Sequence, residues 1–365
     1  MWIPPASRRR REYCSLLRLE KRSRSHHSIV NLAVRQKYRK IVIRTPNWLG
    51  DLIMSTAFIK AAMDRFPQAE IDLIVKRGLE TIPLPHRGRI LPFDKKRESL
   101  FEFGNRLRKE NYDAAYLLSP SLSSALMVFW AGIPVRIGYS QNGRSPFLKP
   151  AKRYRRKHKS QHLIREYLQL LGVDDQSDAY YPNLSLENGW SDRILADFGE
   201  KIPGRYIVLA PGATYGPAKQ WPIDYFRQVA KSMRSFPVHV VVVGTQSDYE
   251  SGERIVENLD RGKNLCGKTD LPELIALLEK SSLLVSNDSG VMHIMSALRK
   301  NQIALFGSTS TTWTGPANPN AVVLQEKLEC SPCLRRKCPY GHYDCLKRLR
   351  PDAVAEKMQR LLQFK

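Results

Sequence analysis

Short apolar runs alternate with longer segments of helical spacing along most of this chain. Lys40–Arg44 reads as a strand, Thr45–Asp51 as a turn, and Leu52–Arg65 as a helix. Ile71–Val75 and Ile90–Phe93 read as strands, Arg97–Glu110 as a helix, Ala114–Leu118 as a strand, and Ser121–Trp130 and Gln161–Leu171 as helices. A second series follows: strand Tyr206–Ala210, helix Pro222–Arg234, strand Val238–Gly244, and helices Asp248–Leu259 and Leu271–Lys280. Strand Leu283–Ser286, helix Gly290–Leu298, strands Ile303–Phe306 and Val322–Leu324, and a last helix Pro351–Leu362 complete it. Strands that alternate with helices predict parallel sheets covered on both faces. The expected fold class is α/β, with two similar halves facing across a cleft. Ligands in such sheets bind beyond the carboxyl ends of the strands.

Three stretches fall outside that rhythm. Residues 1–37 carry Arg8, Arg9, Arg10 and Arg11 among ten Lys and Arg against Glu12 and Glu20, and read as a poorly ordered basic extension. Arg136–Lys159 reads as a basic loop, and the polar stretch 172–204, with one helix near Trp190–Phe198, as the link between halves. The expected division is 1–37 extension, 38–185 first domain, 186–350 second domain and 351–365 terminal helix.

Composition narrows the class. The 365 residues are 42% hydrophobic and 26% charged, which is globular, but the net charge of +24 is not ordinary and favours acidic partners. The longest apolar stretch, Ala125–Ile133, is too short to span a bilayer and reads as a buried helix. Six cysteines in a chain of this length do not make a disulfide scaffold, so a reducing cytoplasm is expected.

Candidate chemistry gathers after strands. Asn287-Asp288-Ser289-Gly290-Val291-Met292-His293 runs from a strand into a helix N-terminus, whose free N–H groups and partial positive charge suit a phosphate. Asp288 suits a sugar hydroxyl, Ser289 a phosphate, and His293 lies one turn on. The plainer reading is helix capping with a core histidine. Pro211 to Pro222 links a strand to a helix; its glycines admit close backbone approach, Thr214 offers a hydroxyl and Lys219 a point charge. Here the plainer reading is a solvated lysine. Asp51, after Gly50 in the first strand–helix turn, is either a cap or a carboxylate aimed into the cleft as general base. No Asp-x-Asp occurs, so Lys219 and helix N-termini are expected to neutralise a diphosphate without metal. Cys330, Cys333, Cys338 and Cys345 admit a zinc knot as a secondary alternative, but their spacing departs from paired C-x-x-C. A loop beside the acceptor is the preferred reading of that cluster.

Together, Pro46-Asn47-Trp48-Leu49-Gly50-Asp51, Pro211-Gly212-Ala213 with Lys219-Gln220-Trp221-Pro222, and Asn287 to His293 resemble the lipopolysaccharide heptosyltransferases of glycosyltransferase family 9, over roughly Lys40–Leu362. The resemblance implies a GT-B fold of two Rossmann-like domains. It implies inverting transfer of L-glycero-D-manno-heptose from ADP-heptose to a heptosyl-Kdo-lipid A inner core in lipopolysaccharide biosynthesis. The Asn-Trp-Leu-Gly-Asp form and the cysteine cluster lean to the branch that adds the second heptose.

Carried over, Asp51 is the base and Lys219 the second catalytic residue. Thr214, Tyr215, Lys219, Glu250, Thr269, Asp288, Ser289, Gly290 and His293 form the donor site, with Glu250 on the ribose and Glu253 as its alternate. Arg44, Asn47, Trp48, Arg136 and Arg144 are expected on the acceptor. Tyr215 replaces a second threonine of the first transferase. A monomer without cofactor, at the cytoplasmic face of the inner membrane and in peripheral contact with anionic lipid, is the corresponding expectation. The alternatives are a family member of heptosyltransferase I or III type and, from another class, a basic nucleic-acid-binding protein, although no nucleic-acid module is recognisable.

Overall fold

The computed structural model describes residues 38–153, 160–173, 179–200 and 202–363. The expectation for residues 1–37, and that part of the basic stretch Arg136–Lys159 which covers residues 154–159, lie outside these. Among the described residues, no helix is long and apolar enough to cross a membrane.

The first half runs β1 (Lys40–Arg44), α1 (Leu49–Arg65), β2 (Glu70–Lys76), β3 (Ile90–Phe93), α2 (Leu100–Arg108), β4 (Ala114–Leu117), α3 (Leu122–Trp130), β5 (Val135–Ser140), β6 (Ala151–Arg153) and α4 (Leu163–Leu171). The second runs α5 (Trp190–Asp197), β7 (Tyr206–Ala210), α6 (Ile223–Ser232), β8 (His239–Val242), α7 (Tyr249–Val256), β9 (Gly262–Asn264), α8 (Leu271–Lys280), β10 (Leu283–Asn287), α9 (Gly290–Ala297), β11 (Gln302–Phe306), α10 (Thr311–Thr314), β12 (Ala321–Gln325), α11 (Asp344–Lys347) and α12 (Pro351–Leu362).

Both sheets are wholly parallel and have the same topology. The orders are β3-β2-β1-β4-β5-β6 and β12-β11-β10-β7-β8-β9. In register, Ile43 lies between Leu73 and Tyr116, and Leu209 between Val242 and Val285. Each order reverses at one place, between β1 and β4 and between β7 and β10. The loops leaving those strands at their carboxyl ends open the crevice in which such sheets bind ligands. Asp51 follows β1, the Pro211–Lys219 loop follows β7, and Asp288 follows β10.

The strands read as near-continuous apolar runs because both faces are covered. In the first sheet Val42, Ala115 and Leu117 pack on Phe103, Leu107, Met127 and Val128 of α2 and α3. On the other face Tyr116 meets Phe58 of α1 edge-on, with ring centroids 5.5 Å apart. In the second sheet Ile207, Leu209, Val240 and Val285 share a core with Trp221, Phe226, Met358 and Leu362, so α12 belongs to this half.

Three strands differ from the expected pattern. Arg136–Lys159 is not all loop: it contains β5 and β6, and β9 was not anticipated. Val135-Arg136-Ile137-Gly138-Tyr139-Ser140 has a half-buried arginine and a glycine where strand signals are sought, and β6 and β9 are three-residue strands of mainly polar sequence. Helix α1 also starts three residues earlier than the spacing suggests. Its first turn therefore contains Gly50 and Asp51.

Candidate active site

Two helix N-termini, one from each half, cross at the candidate site. A Cβ on Gly50 of α1 would stand 2.6 Å from His293 Cδ2, and one on Gly290 of α9 would stand 2.8 Å from Leu49 Cδ2. Both motif glycines are therefore required by close approach. Each helix end brings unpaired N–H groups and partial positive charge to the same place.

Asp51 is half-buried in the first turn of α1. Burial pushes its carboxyl up to about 6; the positive charge of Lys219 opposes the shift and the charge of Asp288 adds to it. A carboxylate poised there is ionised at neutral pH yet basic enough to accept a proton, as a general base requires. Lys219 ends the short turn Pro217–Lys219, and its Nζ lies 2.6 Å from Asp288 Oδ2. Thr309 Oγ1 donates to the same oxygen at 2.6 Å. The Tyr215 ring lies under Lys219 at 4.8 Å and under Arg336 at 5.3 Å.

The sequence folds this loop with several clamps. Asn287 donates from Nδ2 to Pro211 O at 2.6 Å and accepts from the Trp221 N–H at 3.0 Å, holding both ends. Gly216 adopts φ +143°, and a Cβ there would stand 2.7 Å from Arg336 O, so glycine is needed. Ala218 N donates to Arg336 O at 3.1 Å, and Tyr215 Oη donates to Leu334 O at 2.7 Å. The cysteine-bearing loop thus braces the segment that holds Lys219. Cys330, Cys333, Cys338 and Cys345 line one small cavity with Ala218 and His342. Among the described residues, no three His, Cys, Asp or Glu side chains form a group that could hold a metal.

His293 is buried, and burial pushes its imidazole down to about 4, so it is neutral at pH 7. Its Nδ1, with Ser289 Oγ and Ser308 Oγ, is buried without a hydrogen-bond partner. Buried polar atoms left open cost stability, and those beside a reacting centre are available to a ligand.

Other expected donor residues are placed differently. Thr214 is exposed at the crest of its loop, and Thr269 immediately precedes Asp270, the N-cap of α8. Glu250 is exposed in the first turn of α7. The acid that reaches the Pro211 loop is Asp248, whose Oδ2 would stand 2.7 Å from a Cβ on Gly212 and accepts from Thr245 N at 2.8 Å. Glu250 therefore gives way to Asp248 as the acid nearest that loop. A helix phase error of two residues separates them, which the sequence pattern does not resolve.

The arginines expected on the acceptor are braces. Arg44 is buried and donates to Thr45 O, to Ile74 O at 3.2 Å and to Asn47 Oδ1; burial pushes it down to about 10. Arg144, 1% exposed, ties the loops after β4 and β5 by donating to Ser119 O and to Tyr139 O at 2.7 Å. Arg136 is near the amino end of β5, on the side of the sheet away from Asp51, and donates to Phe147 O at 2.7 Å. Trp48, by contrast, is 59% exposed at the N-cap of α1, beside Asn47.

The α4 region supplies residues that sequence reasoning missed. Tyr167 is buried, and its phenol is pushed up by burial and by the charges of Asp51 and Glu166. His162 caps α4 through Nδ1, and its Nε2 lies 2.9 Å from Gly315 O in the other half. Trp313 Nε1 donates to Glu166 Oε1 at 3.2 Å, a second bond across the same seam. Only the proximity of two halves, invisible in one dimension, identifies these residues.

Comparison with known proteins identifies the family. The family described as glycosyltransferase family 9 (heptosyltransferase) matches residues 100–344. The lipopolysaccharide heptosyltransferase 2 of Escherichia coli (strain K12) is 30% identical over 347 residues, covering 88% of this chain and 98% of that protein. The lipooligosaccharide heptosyltransferase 2 of Campylobacter jejuni is 29% identical, covering 88% and 99%. The solved structure of E. coli ADP-heptose lps heptosyltransferase II superposes with a TM-score of 0.78 at 28% identity, covering 89% of this chain and 98% of that one.

Proposed function

This chain belongs to glycosyltransferase family 9, the heptosyltransferases, and from that premise we propose that it transfers L-glycero-D-manno-heptose from ADP-heptose to the heptosyl-Kdo-lipid A inner core. The half built on β7–β12 holds the donor and the half built on β1–β6 the acceptor, with the division near residue 185. The observation that carries this reading is Asp51. It is a carboxyl raised to about 6 where the two helix N-termini cross, beside the Lys219–Asp288 pair.

The chemistry follows. Asp51 takes the proton of an acceptor heptose hydroxyl as that oxygen attacks the anomeric carbon. The bond from that carbon to the ADP oxygen breaks, the electron pair leaves with ADP, and configuration inverts through an oxocarbenium-like transition state. Lys219 exchanges Asp288 for the diphosphate and, with the α9 N-terminus, stabilises the charge that develops there. Asp288, released, accepts from a donor hydroxyl, and Asp248 from the ribose. Neutral His293 and Ser289 offer their open atoms to the same ligand. Trp48 and Asn47 contact the acceptor. Donor binding needs no metal in this scheme, because the cations are Lys219 and helix N-termini. The protein works as a monomer at the cytoplasmic face of the inner membrane, where its net charge of +24 meets anionic lipid and core phosphates.

A transfer assay tests the specificity. Purified protein with ADP-heptose is expected to modify Kdo-lipid A that already carries one heptose and to leave the heptose-free acceptor unmodified. Modification of the heptose-free acceptor alone would favour the first-transferase type.

A further inference from the structure

Helix α3 has no charged residue, Leu122-Ser123-Ser124-Ala125-Leu126-Met127-Val128-Phe129-Trp130, yet only one side of it packs on the sheet. Ser124, Ala125, Met127 and Val128 are buried. At a helical turn of about 100° per residue, Leu122, Leu126, Phe129 and Trp130 fall on one outward stripe. Leu122, Phe129 and Trp130 are 40%, 46% and 42% exposed. The stripe continues onto α2, where Phe101, 48% exposed, meets Trp130 edge-on at 4.9 Å. A soluble surface rarely leaves such contiguous apolar area uncovered without use.

Cations rim these rings. The Arg108 guanidinium stands 5.8 Å from the Trp130 ring and that of Arg136 5.3 Å from Phe129. Lys95, Lys96, Arg97, Arg106 and Lys109 are exposed before and along α2. The carboxylates among them are engaged: Glu98 pairs with Arg106 at 3.2 Å, and Glu102 accepts from Ser99 N at 2.7 Å. From Ala114 to Arg165 the sequence contains neither Asp nor Glu.

We propose that this α2–α3 face docks the protein on an anionic lipid bilayer, with Phe101, Leu122, Phe129 and Trp130 at the level of the headgroups and the surrounding cations on lipid phosphates. The inference builds on the membrane reading above and gives it a face. Amphipathic rings with flanking arginines suit the boundary between water and acyl chains. A second copy suits the surface poorly, because a two-fold contact would bring the same arginines against each other.

The test is partition of the full-length protein onto vesicles, read by co-sedimentation without donor or acceptor. Vesicles of phosphatidylethanolamine with phosphatidylglycerol are expected to retain it, and phosphatidylcholine vesicles are not. Phe129→Ser with Trp130→Ser is expected to lower partition by about tenfold or more, while transfer to an acyl-free core oligosaccharide stays within about twofold. If that variant does not fold, Lys95→Glu with Lys96→Glu and Lys109→Glu, all at exposed positions, is expected to reduce partition by at least about fivefold. Equal partition of wild type and both variants would overturn the proposal, as would equal binding to neutral and anionic vesicles. Self-association of wild type that the aromatic variant abolishes would assign the face to a second copy instead. Loss of transfer by wild type with partition intact would count against the enzyme reading and leave the docking face standing.

Discussion

Replacing Lys219 with alanine tests three linked consequences of one contact. Nζ lies 2.6 Å from Asp288 Oδ2, and the two side chains are 14% and 4% exposed. Removing the cation leaves the buried Asp288 carboxylate with the Thr309 hydroxyl still donating to it, and breaking a buried pair costs about 3–5 kcal/mol. The same cation holds the Asp51 carboxyl down against burial. Without it the Asp51 pKa rises further above 6, the base stays protonated to higher pH, and the acid limb of kcat/KM moves upward. Losing one preorganised charge opposite the leaving diphosphate slows the chemical step by about two to three orders of magnitude. The assay is the pH profile of heptose transfer together with urea denaturation. Lys219→Ala with Asp288→Asn separates the effects: stability is expected to recover toward wild type because the unpaired charge is gone, and turnover is not. Near-normal turnover in Lys219→Ala, with an unmoved acid limb, would refute the role of Lys219 in both catalysis and the tuning of Asp51.

Other expectations follow from the same geometry. Gly50→Ala forces a methyl group to within 2.6 Å of the His293 ring and is expected to cost about 1–3 kcal/mol in denaturant unfolding, with turnover falling as the two helix ends are pushed apart. Trp48→Ala, at a 59% exposed position, is expected to leave stability within about 0.5 kcal/mol while raising KM for acceptor and not for ADP-heptose. Asp248→Asn is expected to raise KM for ADP-heptose at least about fivefold, as loss of one buried charged hydrogen bond does, and Glu250→Gln to leave it unchanged; the reverse pattern would restore Glu250 to the ribose.

The sequence made the grouping of Asp51, Lys219 and Asp288 legible because parallel sheets have a simple rule. Asp51, Lys219 and Asp288 each follow a strand, and strand ends at a topological switch share a crevice. The apolar runs of β1, β7 and β10 were unmistakable, so those loops could be placed without coordinates. The arginines were misread for a physical reason. Charge suggests solvent, but Arg44 and Arg144 are used as buried multi-donor ties between loops, a role that depends on carbonyls distant in sequence. Glu250, with Glu253 as its alternate, lies at a helix start, where boundaries shift by one or two residues, and such a shift brings Asp248 rather than Glu250 to the Pro211 loop. His162, Tyr167 and Trp313 were silent because their significance lies in the seam between halves. The apolar stretch Ala125–Ile133, too short for a bilayer, reads as a buried helix, whereas α3 is buried on one side only. The apolar run gave no period from which to see its exposed stripe.

The central claim is that Asp51 acts as base toward a sugar hydroxyl, and the most direct measurement is the single-turnover rate of Asp51→Asn with saturating ADP-heptose and heptosyl acceptor, alongside donor affinity by calorimetry. The account predicts a rate lower by about three orders of magnitude with donor affinity within a few-fold of wild type. A rate within tenfold of wild type would contradict it.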